Sequence, residues 1–540
     1  MPKRPGIDVR PDHWEIVRSV LEKHVPQYAV WAFGSRAKWT AKDYSDLDLA
    51  VITEKPLPLG VSSGLSEDFS ESDLPWKVDV VDWATTSDSF RKIITEDHVV
   101  IQAAASVKHR AASSDLPTVR LDSVAQINPR RKVSKGNSVP FIDMAALPQN
   151  SRDINYSDVV LREAKGAGAH FQNRDTLLAR ITPCLENGKT AQVRQLKSGE
   201  VGEGSTEFIT LCGIDPADND FVYYLCRDPV FREYAIGRME GTSGRQRVSW
   251  QSIAAYEFIC PKPIERRAAA LILSALDERI TLLRETNATL EAIAKALFKS
   301  WFVDFDPARA KMEGRAPEDM DEAAAALFPD GFEESALGLV PKGWRVGALG
   351  DIAQTVRKQL QPAELHAELH HVGLEHIPRQ SLSLSSWGTA DGLESAKAAF
   401  SEGDILFGKL RPYFHKVVVA PFDGVCSTDV LVCQGACPEY YGVAAMHLFS
   451  TALIDYADRL SNGAKMPRVN WKDLAAYPIV IPPKRIAAEY AQAIEPMLAR
   501  MKSNVHEAQT LATLRDTLLP RLISGALRLD EAKSDNTNKP

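Results

Sequence analysis

The chain is 540 residues long, with 44% hydrophobic and 25% charged side chains, enough for roughly three or four separate cores rather than one. Its 71 acidic residues outnumber 64 Lys and Arg, giving a formal charge of −7; this excludes a protein that coats nucleic acid wholesale and leaves any DNA contact to local cationic patches. Seven scattered cysteines without a C-x-x-C pair, no apolar signal core at the N-terminus and no membrane-length apolar run set the expectation of a cytoplasmic location and no membrane partner.

The first elements read as strand, turn and strand. Trp31-Ala-Phe-Gly34-Ser35-Arg36 puts a Gly-Ser turn at the end of an apolar run, and Ser45-Asp46-Leu-Asp48-Leu-Ala-Val51 follows as a strand with alternating carboxylates. A third acid, Asp79, lies in the apolar string Trp76-Lys-Val-Asp79-Val-Val-Asp82. Gly-Ser, a ten-residue stretch from Arg36 to Ser45, and Asp-x-Asp resemble the motif of the minimal nucleotidyltransferases of the DNA polymerase beta superfamily. The resemblance implies an α/β domain over residues 1–105, a nucleotide held by Gly34, Ser35 and Arg36, catalysis by Asp46, Asp48 and Asp79, and Mg and ATP as cofactors. The chemistry suits the residues: i and i+2 on a strand share a face, so Asp46 and Asp48 are placed to hold Mg²⁺ against nucleotide phosphates, with Asp79 activating the attacking hydroxyl. Two features depart from the family pattern, Lys38-Trp39 after the Arg-Ala pair and the Ser- and Gly-rich insert at 56–75.

Residues 103–117 read as a linker, and beyond it the chain repeats itself. Gly241-Thr-Ser-Gly-Arg-Gln-Arg-Val-Ser-Trp250 returns as Asn462-Gly-Ala-Lys-Met-Pro-Arg-Val-Asn-Trp471, an offset of 221 residues from Trp250 to Trp471. Upstream, Asp175-Thr-Leu-Leu-Ala-Arg-Ile-Thr-Pro183 pairs with Asp404-Ile-Leu-Phe-Gly-Lys-Leu-Arg-Pro412, and Ser205-Thr-Glu-Phe with Ser427-Thr-Asp-Val. Each copy closes in a helix with a heptad seam. The first runs through Leu273, Leu276, Ile280, Leu283, Asn287, Leu290, Ala294, Leu297 and Trp301; the second, from Ile494 to Leu522, is interrupted by Asn504 and Arg515. A polar Asn in such a seam costs stability and fixes register. Residues 304–342, rich in Pro, Gly and acids, read as a crossover linker with a short Ala-rich helix.

This duplication, with Leu297-Phe-Lys-Ser-Trp-Phe-Val-Asp-Phe-Asp-Pro307 after the first helix and Leu514-Arg-Asp-Thr-Leu-Leu-Pro-Arg-Leu-Ile-Ser-Gly525 near the end, resembles the specificity subunit of type I restriction-modification systems over about residues 116–530. The expected fold class is therefore α+β multidomain. After the N-terminal domain, the resemblance implies target-recognition α/β domains at 116–263 and 343–483, each followed by a long helix (264–303 and 484–527), the two helices forming an antiparallel coiled coil and 304–342 linking the halves. The implied function is non-catalytic: each domain reads one half of a split site on double-stranded DNA, the helices space the readers, and two methyltransferase subunits and restriction subunits assemble on the chain. S-adenosylmethionine and ATP would then be bound by those partners, with no cofactor in the specificity region. Expected DNA contacts are Arg180, Lys189, Arg245 and Arg247 in the first half and Lys409, Arg411, Lys416, Lys465 and Arg468 in the second, because these cations cluster with aromatics or on glycine-led turns. The alternative is a nucleotidyltransferase that modifies a protein partner, with the duplicated region targeting it to DNA.

Overall fold

The computed structural model describes residues 7–527 except 27, 43–44, 54–56, 58, 73, 87–89, 92–93, 96–97, 103–115, 243, 319 and 462–465. Lys465 and nearly all of the expected 103–117 linker thus lie outside the described residues. The chain divides into two compact units, Met1–Val119 with Ile259–Pro261, and Arg120–Phe258 with Lys262–Pro540.

The first unit is built on a four-stranded sheet in the order β3-β2-β1-β4, with β1 Ala29–Phe33, β2 Leu47–Ile52, β3 Val78–Asp82 and β4 Val99–Gln102. β1 is antiparallel to both β2 and β4, and β2 runs parallel to β3. Helix Pro11–His24 opens on a proline with Asp12 in its first turn and closes on Lys23 and His24, charges that suit the two ends of its dipole. Its Val17, Val20 and Leu21 share a core with Leu47, Leu49 and Val51 of β2. Strand alternation then turns Asp48 and Ala50 to the opposite face, where Ala50 packs with Phe33 and Ile94. One face of β2 therefore anchors the domain and frees the other for carboxylates.

In the second unit a four-stranded antiparallel arrangement occurs twice. Thr176–Ala179 lies between Thr190–Gln192 and Phe208–Gly213, and the latter meets Ala125–Ile127; Ile405–Gly408 lies between Val417–Val419 and Val430–Gly435, and the latter meets Ala353–Val356. A pair of short helices follows each sheet, Asn219–Arg227 with Pro229–Gly237 and Tyr441–Phe449 with Thr451–Leu460. Then come the two long helices, a central one over Pro263–Lys299 and a C-terminal one over Lys484–Ile523. They run past each other in opposite directions. Tyr490 Oη donates to Ala294 O at 2.9 Å, Asn504 Nδ2 to Asn287 Oδ1 at 2.8 Å, and Arg515 Nη1 to Asp277 Oδ1 at 2.6 Å.

The buried stripe of the central helix differs from the apolar seam read in the sequence. Leu273, Ile280, Leu283, Asn287, Ala294 and Trp301 are buried as expected, but Asp277, Glu291 and Phe298 are buried where Leu276, Leu290 and Leu297 were assigned. The polar pair is tolerated because each has partners: Asp277 accepts from Arg515 and from Tyr224 Oη, and Glu291 accepts from the Leu382 amide and pairs with Lys295. The 304–342 segment also departs from a plain linker. It folds into helices Asp306–Met312 and Glu322–Leu327 and the hairpin of Phe332–Ser335 with Gly338–Pro341, and it buries Phe305 and Phe328 against Trp344. Its aromatics outweigh its Pro and Gly content, since a buried Phe contributes about 2 kcal/mol or more.

Candidate nucleotide site and candidate DNA interface

In the first unit, the Gly-Ser turn and the three acids meet at one edge of the sheet. Asp48 stands opposite Phe33 across the β1–β2 pair and opposite Asp79 across the parallel β2–β3 pair, while Asp46 precedes β2. Gly34 opens a helical turn, Gly34–Ala37, with φ +77°, and a Cβ there would lie 2.2 Å from Asp48 Oδ2. Only glycine fits, for both reasons. Burial, then the nearby Asp79 and Asp46 charges, raise the Asp48 carboxyl above its ordinary value. Such mutual repulsion is what a divalent cation relieves. Asp79 is tied to Lys77 Nζ at 2.5 Å, and among the described residues no three His, Cys, Asp or Glu side chains converge on a ready metal cage.

Arg36, expected at the nucleotide, turns inward. Its side chain donates to the backbone oxygens of Ser45 and Asp8 and lies 4.3 Å from the Trp76 ring centroid, so it braces the loop that delivers Asp46. Trp76 is the residue that motif reading passed over; its place three residues before Asp79 was the available signal. Trp39 adopts a left-handed φ of +57° and is 62% exposed.

In the second unit the two repeated strings of each half converge. Ile181 bridges Arg247 and Leu410 bridges Arg468, so the 175–183 strand end lies against the 244–247 turn and the 404–412 strand end against residues 466–468. An acid sits in each cluster. Arg247 forks onto both oxygens of Glu207, and Arg468 onto both oxygens of Asp429, holding the latter carboxyl below its ordinary value. The backbone amides of Glu207 and Asp429 each donate to the serine hydroxyl two residues earlier, that of Ser205 and of Ser427. The stretch 405–422, acid-free in sequence, thus receives an acid from the following segment.

Two more expected DNA contacts are occupied by the fold. Lys189 Nζ donates to Met144 O, and Lys416 Nζ donates to Leu374 O, and burial lowers Lys416 below its ordinary value. These lysines pin loops to sheets. Arg180 and Lys409 are half-buried at the strand ends with backbone bonds to Glu207 and Asp429, Arg245 is exposed, and Arg411 takes a left-handed φ of +52° with its amide on Pro467 O. Of the two arginines beside the acids, Arg468 is exposed and Arg247 is half-buried.

Comparison with known proteins follows the same division. Residues 15–105 match the family model described as polymerase beta, nucleotidyltransferase. The chain is 56% identical over 96 residues to the probable protein adenylyltransferase MntA of Haemophilus influenzae, covering 18% of this chain and 84% of that protein. It is 25% identical over 327 residues to the type I restriction enzyme MjaIX specificity subunit of Methanocaldococcus jannaschii, covering 59% of this chain and 71% of that protein. To the HindI specificity subunit of Haemophilus influenzae it is 36% identical over 114 residues, 20% of this chain and 24% of that protein. No helix among the described residues is long and apolar enough to cross a membrane. The chain thus carries, at residues 15–105, a domain that belongs to the polymerase beta nucleotidyltransferases, and over 59% of its length it is similar to a type I restriction enzyme specificity subunit.

Proposed function

We propose that residues 116–527 read a bipartite DNA target, with one recognition domain per half-site, and that the two long helices form an antiparallel coiled coil that sets the distance between them and seats two methyltransferase subunits. The observation that carries this reading is the recurrence of one arginine–carboxylate arrangement, Arg247 with Glu207 and Arg468 with Asp429, at matching places in the two four-stranded sheets. A fork held by an acid presents a pre-oriented guanidinium, the group best suited to guanine edges and phosphates. About forty helical residues at about 1.5 Å each span about 60 Å, enough to separate two major-groove readers by more than one duplex turn. Mapping methylated bases across a genome that encodes this chain and its methyltransferase is expected to give one motif in two parts with a fixed unread spacer. A continuous motif, or none lost on deleting the chain, would count against the reading.

A second activity is favoured by the first unit. Gly34, the Asp48–Asp79 register and the identity with a probable protein adenylyltransferase support Mg²⁺-dependent attack of a protein hydroxyl on the α-phosphorus of ATP, which forms the nucleotidyl ester, breaks the α–β phosphoanhydride and releases pyrophosphate. Asp46 and Asp48 would hold the metal, which supplies phosphate polarisation. Gly34 and Ser35 would face the phosphates, and Asp79 would take the proton from the attacking hydroxyl.

A further inference from the structure

Arginines cluster at one place in the first half of the second unit where the second half has none. A space of about 920 Å³ lies between the loop at 148–155 and one side of the central helix, with Ser385 and Ser386 from the second half also lining it. Arg152, Arg194 and Arg284 all face this space. Their counterparts in the second half are Leu382, Pro421 and Val505. Strand pairing fixes the first two: Asp153 bridges Gln192 as Ser383 bridges Val419, so Arg152 and Leu382 each precede the bridge, while Arg194 and Pro421 each stand two residues beyond it. The 221-residue offset carries Arg284 to Val505. Leu382 and Val505 are buried, so apolar side chains satisfy the fold at these places. Cations there are costly to bury unless each meets an anion.

The acids of the chain account for all but one of them. Arg152 Nε donates to Asp153 at 3.2 Å, Arg194 Nη2 to Glu278 at 3.3 Å, and the neighbouring Arg515 Nη1 to Asp277 at 2.6 Å. The second oxygens of Asp153 and Asp277 are taken by Thr281 Oγ1 at 2.9 Å and Tyr224 Oη at 2.7 Å. Glu285, the other acid lining the space, belongs to the exposed side of the helix. Arg284 is left half-buried, with no hydrogen bond or ion pair among the described residues. Burial, then the charge of Arg515, hold its guanidinium below the ordinary value. Arg152 Nη1 is also buried without a partner. We propose that this space binds a free oxyanion of the phosphate class, seated on the Arg284 guanidinium, with Asn150, Ser385 and Ser386 as further donors. A tetrahedral ion accepts from donors that arrive from separate segments, whereas a planar carboxylate is filled by a single guanidinium fork. The recess around Arg284 favours a free ion over the backbone of a duplex.

Calorimetric titration of the full-length chain with inorganic phosphate, in EDTA and at constant ionic strength, tests this; EDTA silences any metal-dependent phosphate binding in the first unit. The wild type is expected to take up one phosphate per chain in a saturable titration, and Arg284→Met to bind it at least tenfold more weakly. Arg279→Met, on the same helix and already paired with Glu507, is expected to bind as the wild type does. In phosphate-free buffer Arg284→Met should melt no lower than the wild type, because it removes a cation that no acid of the chain holds. Added phosphate should then raise the melting temperature of the wild type and of Arg279→Met, and leave that of Arg284→Met where it was. No saturable uptake by the wild type, unchanged affinity in Arg284→Met, or a lower melting temperature of that variant without phosphate would each overturn the site. Acetate bound as tightly as phosphate would give the site to carboxylates, and phosphate displaced by duplex DNA would give it to the DNA backbone; either result overturns the choice of ligand.

Discussion

Gly34→Ala in the full-length chain is expected to lower ATP-dependent nucleotide transfer by on the order of 10²-fold or more while leaving DNA methylation by the assembled complex unchanged. The new Cβ would sit 2.2 Å from Asp48 Oδ2 in a backbone at φ +77°, so either the turn or the carboxylate must move. A displacement of about 1 Å among metal-holding groups is enough for such a loss. Asp48→Asn is expected to abolish the same activity by a different route and with the opposite effect on stability. The folded-state value of Asp48 is raised, so its ionised form burdens the native state at neutral pH, and that burden disappears as the pH falls through the folded value toward the ordinary carboxylate range. The Asn variant should therefore melt higher than wild type at pH 7, with the gap closing in acid. Labelled ATP with Mg²⁺ and melting curves from pH 4 to 8 measure both effects; full transfer in either variant would remove the nucleotide site from this edge of the sheet.

Arg515→Ala is expected to cost about 3–5 kcal/mol at the crossing of the long helices, because it strands a buried carboxylate. The Arg515 and Asp277 side chains are 6% and 4% exposed, and Tyr224 Oη would be left as the remaining donor to Asp277 at 2.7 Å. Converted at about 1.4 kcal/mol per factor of ten, the backbone amides of 505–523 should exchange with solvent about 10²- to 4 × 10³-fold faster. The chain supplies its own control. The 221-residue offset sets Leu498 at the place of Asp277 and Ala294 at the place of Arg515, and both of those lie in the apolar core of the second half. Asp277→Leu with Arg515→Ala and Tyr224→Phe removes the buried ion pair together with the tyrosine hydroxyl bonded to it, and is expected to lose less than Arg515→Ala alone, about 1–2 kcal/mol. Unchanged exchange in Arg515→Ala, or equal loss in the triple variant, would show that the ion pair does not hold this end of the helices.

What could be read from the sequence was set by how local the signal is. The Gly34-Ser35 turn, Asp46, Asp48 and Asp79 lie in short strings that the resemblance to minimal nucleotidyltransferases brings to one site, and the long helices follow from period. The buried stripe was harder. Asp277 and Glu291 belong to it only because Arg515, Tyr224 and the Leu382 amide arrive from segments far away in the chain, and no periodicity of apolar residues shows a charge whose partner is distant. The same reason applies to the cations expected at DNA. Lys189 and Lys416 looked free in sequence, yet each meets a carbonyl more than forty residues earlier, and Arg247 and Arg468 meet acids brought over by a neighbouring strand. At 304–342 the Ala-rich stretch forms its short helix, Glu322–Leu327, as composition led one to expect, while the burial of Phe305 and Phe328 depends on Trp344 and other residues outside the segment.

The central claim is that each half of residues 116–527 reads its own half-site. Exchanging residues 116–263 for the same segment of another specificity subunit, followed by long-read mapping of methylated bases, tests this most directly. The account predicts that one half of the methylated motif changes to that of the donor while the other half and the spacer stay as they were. An unaltered motif, or a change in both halves at once from a complex that still methylates, would contradict it.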